Sequence, residues 1–403
     1  MKHTKLFLIV LLSFAATAFG QVAIKGKTVY TSAGDPIQDG VVLLEDGKIK
    51  AVGPASQVNI PSGYKVFEGA VVTPGLVDAH SVVGFAGYLN QNHDQDQLDR
   101  SKPIQPQLRA IDAYNPREYL VGWLREHGVT TVHTGHGPGA LISGQTMIVK
   151  TTGNTVADSV MVPRAMLAMT LAGSARASGG KSPGTRAKMI SMLRTQFIKA
   201  QEYKNKLEKA EEGKEPSRNL AMETLAASIG GDLPVMITVH REQDIHNALR
   251  LAEEFNLKLV LDGAAEAFLV TDHIKKAGVP VIIHPTMMRT FGEAENATME
   301  AASLLDKAGI PVAFQSGFEG YVPKTRVVLF EAAVAAAYGL TMERALTIAT
   351  LEAAKLLGVD DRVGSLETGK DGDVVIFNGD PFEYLTTVQH VFINGEHVSD
   401  VKR

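Results

Sequence analysis

Five histidines of this 403-residue chain stand at the ends of short apolar runs. His80 follows Val77-Asp78-Ala79, His133 and His136 follow Thr130-Thr131-Val132, His240 follows Thr238-Val239, and His284 precedes Pro285. A neutral imidazole suits zinc, iron or nickel, and it titrates near neutral pH, so such a set can hold a divalent metal or move a proton. Asp78, Asp262, Glu266, Asp94 and Asp96 are acidic side chains that could join them. A plainer reading stays open beside this one: the five are hydrogen-bonded polar residues that hold no metal. His93 is read as an exposed loop residue, while His127, His246 and His273 in helical stretches and His390 and His397 in a β-rich end are read as structural.

The elements that must position these residues are legible in the pattern. From Val22 to Val72 the chain reads as short strands broken by turn formers, with Asp46-Gly47 a hairpin signal. The same texture returns from Asp373 to Asn394-Gly395, so the two ends are expected to meet in one small β domain. Between them apolar strands alternate with helices. The expected strands are Val77–Ala79, Val129–His133, Thr146–Lys150, Val235–His240, Lys258–Leu261, Val279–His284 and Ile310–Phe314. Expected helices include Pro116–His127, Thr185–Glu212, Asp244–Phe255 and Thr341–Leu357. That alternation predicts parallel strands with helical crossovers, and at this length a (β/α)8 barrel of the TIM type. The predicted division is 1–20 signal, 21–72 and 359–403 composite β domain, and 73–358 barrel.

Lys2, His3 and Lys5 precede an apolar stretch from Leu6 to Phe14, followed by Ala15, Ala16, Ala18 and Gly20. This is the order of a secretory signal, with cleavage expected after Gly20. The apolar stretch is too short for a transmembrane anchor, so a periplasmic or secreted protein with no stable membrane anchor is expected. The chain has no cysteine, which excludes disulfides, thiolate ligands and a thiol nucleophile. Its formal charge of -4 gives no sign of a nucleic-acid partner.

Thr73-Pro74-Gly75-Leu76-Val77-Asp78-Ala79-His80 and Gly364-Ser365-Leu366-Glu367-Thr368-Gly369-Lys370-Asp371-Gly372-Asp373 resemble the amidohydrolase superfamily, nearest to its imidazolonepropionase-like branch. The resemblance implies hydrolysis of carbon–nitrogen bonds in cyclic amides, carbamates or peptide-like substrates. It also implies a divalent metal held by His-x-His on the first barrel strand, one His each from strands five and six, and an Asp from strand eight. The metal would lower the pKa of bound water, and the aspartate would take its proton. Here Val82, Gly263 and Gly317 fall at three of those positions, while His80 and His240 remain. The metal site is therefore expected to be rebuilt from His80, His240, His133, His136 and His284, with zinc the first choice, or to be absent.

Two loops bear on ligands. Gly135-His136-Gly137-Pro138-Gly139 with Ser143-Gly144-Gln145 is either an anion cradle or a tight turn. Gly173 to Arg186 is small and basic, either a lid or a connector; Arg176, Lys181 and Arg186 are expected to hold a carboxylate, and Arg241 is a further candidate for ligand binding. No Gly-x-Ser-x-Gly elbow and no nucleotide-binding glycine fingerprint in the right setting appears. Two functions are expected to compete. One is an exported hydrolase with an altered metal site acting on a small molecule. The other is a non-catalytic relative that binds a ligand or a paralogous subunit, and a homo-oligomer is equally open.

Overall fold

A computed structural model describes residues 20–89, 91–284, 290, 292–317 and 327–403. Residues 1–19, which carry nearly all of the expected signal sequence, lie outside the described residues. The front of the chain forms β1 (Val22–Val29), β2 (Ile37–Glu45), β3 (Lys48–Pro54) and β4 (Lys65–Pro74). The middle supplies β5 (Leu76–Ser81), β6 (Val129–Thr134), β7 (Ile142–Gln145), β8 (Met147–Lys150), β9 (Val160–Val162) and β10 (Leu167–Thr170). It continues with β11 (Val235–Val239), β12 (Leu259–Gly263), β13 (Val281–Ile283) and β14 (Val312–Ala313). The end of the chain adds β15 (Val374–Phe377), β16 (Val388–Ile393) and β17 (Glu396–Ser399).

Strands from both ends pair in one seven-stranded sheet of order β17-β16-β15-β4-β1-β2-β3. Its hairpins follow from turn chemistry. Asp46 and Gly47 take φ of 51° and 79° between β2 and β3, and Asn394 and Gly395 take 51° and 74° between β16 and β17. Positive φ at both central residues matches the twist of the flanking strands, and Asx-Gly pairs reach it at least cost. Ile24, Val42, Leu44, Val72, Val374, Ile376 and Phe392 form the buried face of this sheet.

The middle of the chain is the TIM-type barrel. β10, β11, β12, β13 and β14 run parallel in that order, and β5 pairs parallel with β6. The ring closes where Ala79 donates its N–H to the Phe314 carbonyl at 3.0 Å and Gly317 donates to that of His80 at 3.4 Å. Between β6 and β10 the chain from Ile142 to Lys150 fills one position. It breaks at Thr146, whose N–H donates to Met166 O and whose carbonyl accepts from Ala165 N, both at 2.8 Å. This strand runs antiparallel to both neighbours, where all-parallel pairing was expected. Only residues 135–141 join β6 to β7, and a parallel crossover needs about a dozen residues or more. β10 was also not anticipated; at four residues between Pro163-Arg164 and a glycine-rich loop it leaves little periodic signal.

Helices wrap the barrel as the apolar spacing requires. Glu242–Phe255 buries Ile245, Ala248, Leu251, Ala252 and Phe255, and ends on left-handed Asn256. Arg186–Glu208 begins at Thr185, whose hydroxyl accepts the Lys188 N–H, and buries Met189, Leu193, Phe197 and Ala200. No helix among the described residues is long and apolar enough to cross a membrane.

Candidate functional site

Met236, Val260, Ile282 and Ala313 pack with Ile148 and Ala168 in one buried cluster. Two residues further along the same strand directions stand Thr238, Asp262, His284 and Gln315, all buried. Alternate residues of a strand face the same side, so a polar layer caps an apolar one at the C-terminal ends of the strands.

Asp262 is the hub of that layer. Its Oδ1 accepts from Nδ1 of His80 at 3.0 Å and from Nε2 of Gln315 at 3.0 Å, and its Oδ2 accepts the Thr238 hydroxyl at 2.6 Å. Gln315 Nε2 also donates to the Ile283 carbonyl at 2.9 Å. Burial works to raise the Asp262 pKa, yet the interaction with His80, the Thr238 hydroxyl and the nearby His240 together hold it below the usual carboxylate range. Asp262 therefore stays ionised and accepts only, which makes Nδ1 of His80 the donor. Beneath it Asp78 accepts the N–H of Ser316 at 3.0 Å and of His80 at 3.3 Å. Burial pushes its carboxyl up to about 7, against the lowering pull of those donors.

The other predicted histidines are placed less uniformly. His133 lies 5.9 Å from His80 between ring centroids. Its Nδ1 sits 2.7 Å from the Ala79 carbonyl and its Nε2 2.6 Å from the Thr146 hydroxyl. Burial drives its pKa to about 3, so it is a neutral ring with both nitrogens engaged by the protein. His136 stands apart, packed on Phe85 and on the α-carbon of Gly144, and burial brings its pKa to about 4. His240 at the tip of β11 is lowered by burial, and its Nδ1 has no hydrogen-bond partner among the described residues. The backbone of His284 donates to the Gly263 carbonyl at 2.8 Å, and its ring is buried.

The charged residues expected near a ligand are mostly paired. Arg186 binds Asp244 at 2.8 Å and Glu293 at 2.5 Å; Arg241 binds Glu295 at 2.9 Å. Arg176 grips the Gly184 carbonyl, and Lys181 forms no ion pair among the described residues. Glu266 accepts from the Glu242 N–H and from Asn296, which ties it to the loop after β11. Asp94 and Asp96 bond through their backbones to Gly87 and Phe85. Thr238 and Gln315 were not anticipated as site residues. The period-2 rule would have found them, since each lies two residues before a position that the family resemblance marks, His240 and Gly317.

The sequence from residue 71 to 398 matches the amidohydrolase family. This chain belongs to that family. As an amidohydrolase it is 26% identical over 388 residues to the amidohydrolase tasK of Hapsidospora irregularis, covering 88% of this chain but only 39% of that protein. To the imidazolonepropionase of Rhizobium rhizogenes it is 24% identical over 380 residues, covering 85% of this chain and 87% of the other. Among solved structures, an amidohydrolase from Thermotoga maritima MSB8 superposes with a TM-score of 0.87 at 28% identity, over 94% of this chain and 100% of that one.

Amidohydrolases usually bind divalent metals, and the described residues of this one do not fit the family's ligand set. Val82 is buried and its Cγ1 lies close to Gly137. The space beside Gly263 is filled by the His240 ring, and Gly317 carries no donor beyond its backbone. No group of three or more His, Asp or Glu side chains among the described residues is arranged to hold a metal ion. A zinc site needs at least three protein ligands.

Proposed function

We propose that this amidohydrolase is an exported hydrolase of carbon–nitrogen bonds in small amide or peptide-like molecules, with a centre built on His80 and Asp262 in place of the family's metal set. The buried His80–Asp262 hydrogen bond at the C-terminal ends of the strands carries this reading. Ionised Asp262 fixes the tautomer of His80, with the proton on Nδ1 and basicity on Nε2. Thr238 and Gln315 lock the carboxylate, so the pair is held in one geometry. The pair then handles one proton. Water adds its oxygen to the amide carbon as Nε2 takes its proton, and Nε2 returns that proton to the leaving nitrogen as the C–N bond breaks. Gln315 Oε1 and His240 Nδ1, which have no hydrogen-bond partner among the described residues, supply polar atoms for the substrate amide.

The test is hydrolysis of a panel of cyclic amides, N-acyl amino acids and dipeptides by the mature chain, beside His80→Ala and Asp262→Asn. Expected is activity in the native chain and a loss of roughly a hundredfold or more in kcat in each variant, the usual scale of acid–base catalysis. Activity that vanishes with chelators and returns with zinc would replace this centre by a metal one. A second reading is favoured by Val82, Gly263 and Gly317: a non-catalytic relative serving a paralogous subunit. Inactivity of the chain alone together with a stable complex with a co-expressed paralogue would establish it.

A further inference from the structure

A cleft of 260 Å³ opens between the segment from Arg100 to Pro103, the turn at Gly139-Ala140 and the loop from Ser174 to Pro183. Its charged lining is entirely basic, consisting of Arg100, Lys102, Arg176 and Lys181, and no Asp or Glu lines it. None of these four cations has a carboxylate partner among the described residues. Like charges converging on a concavity raise a positive potential that an anion relieves.

The walls are braced for this. A Cβ built on Gly139, whose φ is 136°, would lie 3.6 and 3.7 Å from the two terminal nitrogens of Arg100 and 2.7 Å from Leu98 Cδ2, so the guanidinium rests over a bare α-carbon. Arg176 holds the Gly184 carbonyl through Nε at 3.2 Å and Nη2 at 2.9 Å, and Ala177 N–H donates to the Pro183 carbonyl at 2.7 Å. Ile142 N–H donates to the Pro103 carbonyl at 3.1 Å. The acid next to Arg100 is committed elsewhere: Asp99 accepts the Ser101 N–H at 2.7 Å and Gln105 Nε2 at 3.2 Å. The cleft also adjoins the barrel mouth, because Gly139 N–H donates to the hydroxyl of Thr170, the last residue of β10, at 3.1 Å.

We propose that this cleft binds a small organic oxyanion, a carboxylate or a phosphate, at the rim of the barrel and apart from the His80–Asp262 network. The guanidinium fork of Arg100 suits paired oxygens, Arg176 adds its charge and the donors not held by Gly184, and Lys102 and Lys181 add mobile point charges. The site is independent of the hydrolase reading, since it concerns binding alone.

Succinate and, separately, inorganic phosphate are titrated calorimetrically into the mature chain at low ionic strength. Expected is saturable one-site binding of at least one probe, weakened by added salt. Saturation by succinate alone assigns a carboxylate site, and by phosphate alone a phosphate site. Arg100→Gln and Lys181→Gln each weaken that binding by roughly tenfold or more, the scale of one charge-assisted hydrogen bond. Arg250→Gln, outside the cleft, leaves it unchanged. Should Arg100→Gln not fold, Lys181→Gln on its exposed loop carries the test. Failure of both probes to saturate the native chain, or native affinity in the folded variants, overturns the proposal.

Discussion

The imidazole of His240 lies over the α-carbon of Gly263: a Cβ built there would sit 2.8 Å from Cε1 and 3.2 Å from Nδ1 of that ring. Gly263 also takes a φ of 77°, which L side chains rarely adopt. The histidine at the end of β11 and the glycine at the end of β12 are thus one packing arrangement. Gly263→His must displace His240 and strain the backbone. Gly263→Ala is expected to lower unfolding stability by about 1–3 kcal/mol in urea, from overpacking and the left-handed backbone, and Gly263→His by more. Native stability in Gly263→His would show that the two positions are independent.

Thr238 is expected to matter through Asp262. Thr238→Val keeps the shape of the side chain but removes the 2.6 Å hydrogen bond to a fully buried carboxylate. Leaving the buried Oδ2 acceptor unsatisfied costs about 1–3 kcal/mol, and Thr238→Ser, which keeps the hydroxyl, should recover most of it. Urea midpoints of the three proteins decide this. Equal midpoints for valine and serine would remove Thr238 from the network.

The sequence carried the barrel and the β sheet because both rest on local signals. Asp46-Gly47 and Asn394-Gly395 announce their turns, and the apolar spacing from Ile245 to Phe255 announces a helix face. The antiparallel run from Ile142 to Lys150 was hidden, since strand direction is set by connection length and by partners distant in sequence. At the site, His80, His240 and Asp262 were visible by residue type. Their relation was not, because the His80–Asp262 bond spans 182 positions and no local pattern records it. Thr238 and Gln315 were passed over because neither type announces chemistry; only their register beside Asp262 gives them a role.

Lys150 is expected to hold the barrel to the β sheet. It is 3% exposed, with Nζ 2.5 Å from Asp373 and 3.2 Å from Asp371, both in the Gly-Lys-Asp-Gly-Asp run. Lys48 and Arg362 also reach Asp371, at 2.6 and 2.8 Å. Burial works to raise the Asp371 pKa, but Lys150, Lys48 and Arg362 hold it below the usual range. Lys150→Met leaves Asp373 buried without its cation, and removing one partner of such a pair costs about 3–5 kcal/mol. The double variant Lys150→Met with Asp373→Asn should recover part of that loss in urea unfolding. A single variant within about 0.5 kcal/mol of native, the range of ordinary surface changes, would mark the cluster as inert.

Three buried groups outside any ion pair with a cationic side chain contribute to the slope of stability between pH 4.5 and 6.5, beside His127 and His240, which burial also lowers. His133 and His136 titrate at about 3 and about 4 in the folded chain, below the ordinary 6.5, because burial disfavours their charged forms. The unfolded chain takes up both protons as pH falls through 6.5 while the folded chain does not, so these two groups lose stability toward acid. Asp78 acts in the opposite sense. Burial raises it from 3.8 to about 7, so the folded chain keeps a proton that the unfolded chain has lost, and its contribution is lost as pH rises through this window. One proton corresponds to about 1.4 kcal/mol per pH unit. Relative to the native chain, Asp78→Asn should therefore steepen the rise of unfolding free energy with pH by about that amount, and His136→Gln should flatten it by about the same. Urea unfolding at half-unit intervals of pH measures both slopes. Parallel curves for all three proteins would mean that these groups titrate alike in the folded and unfolded chains.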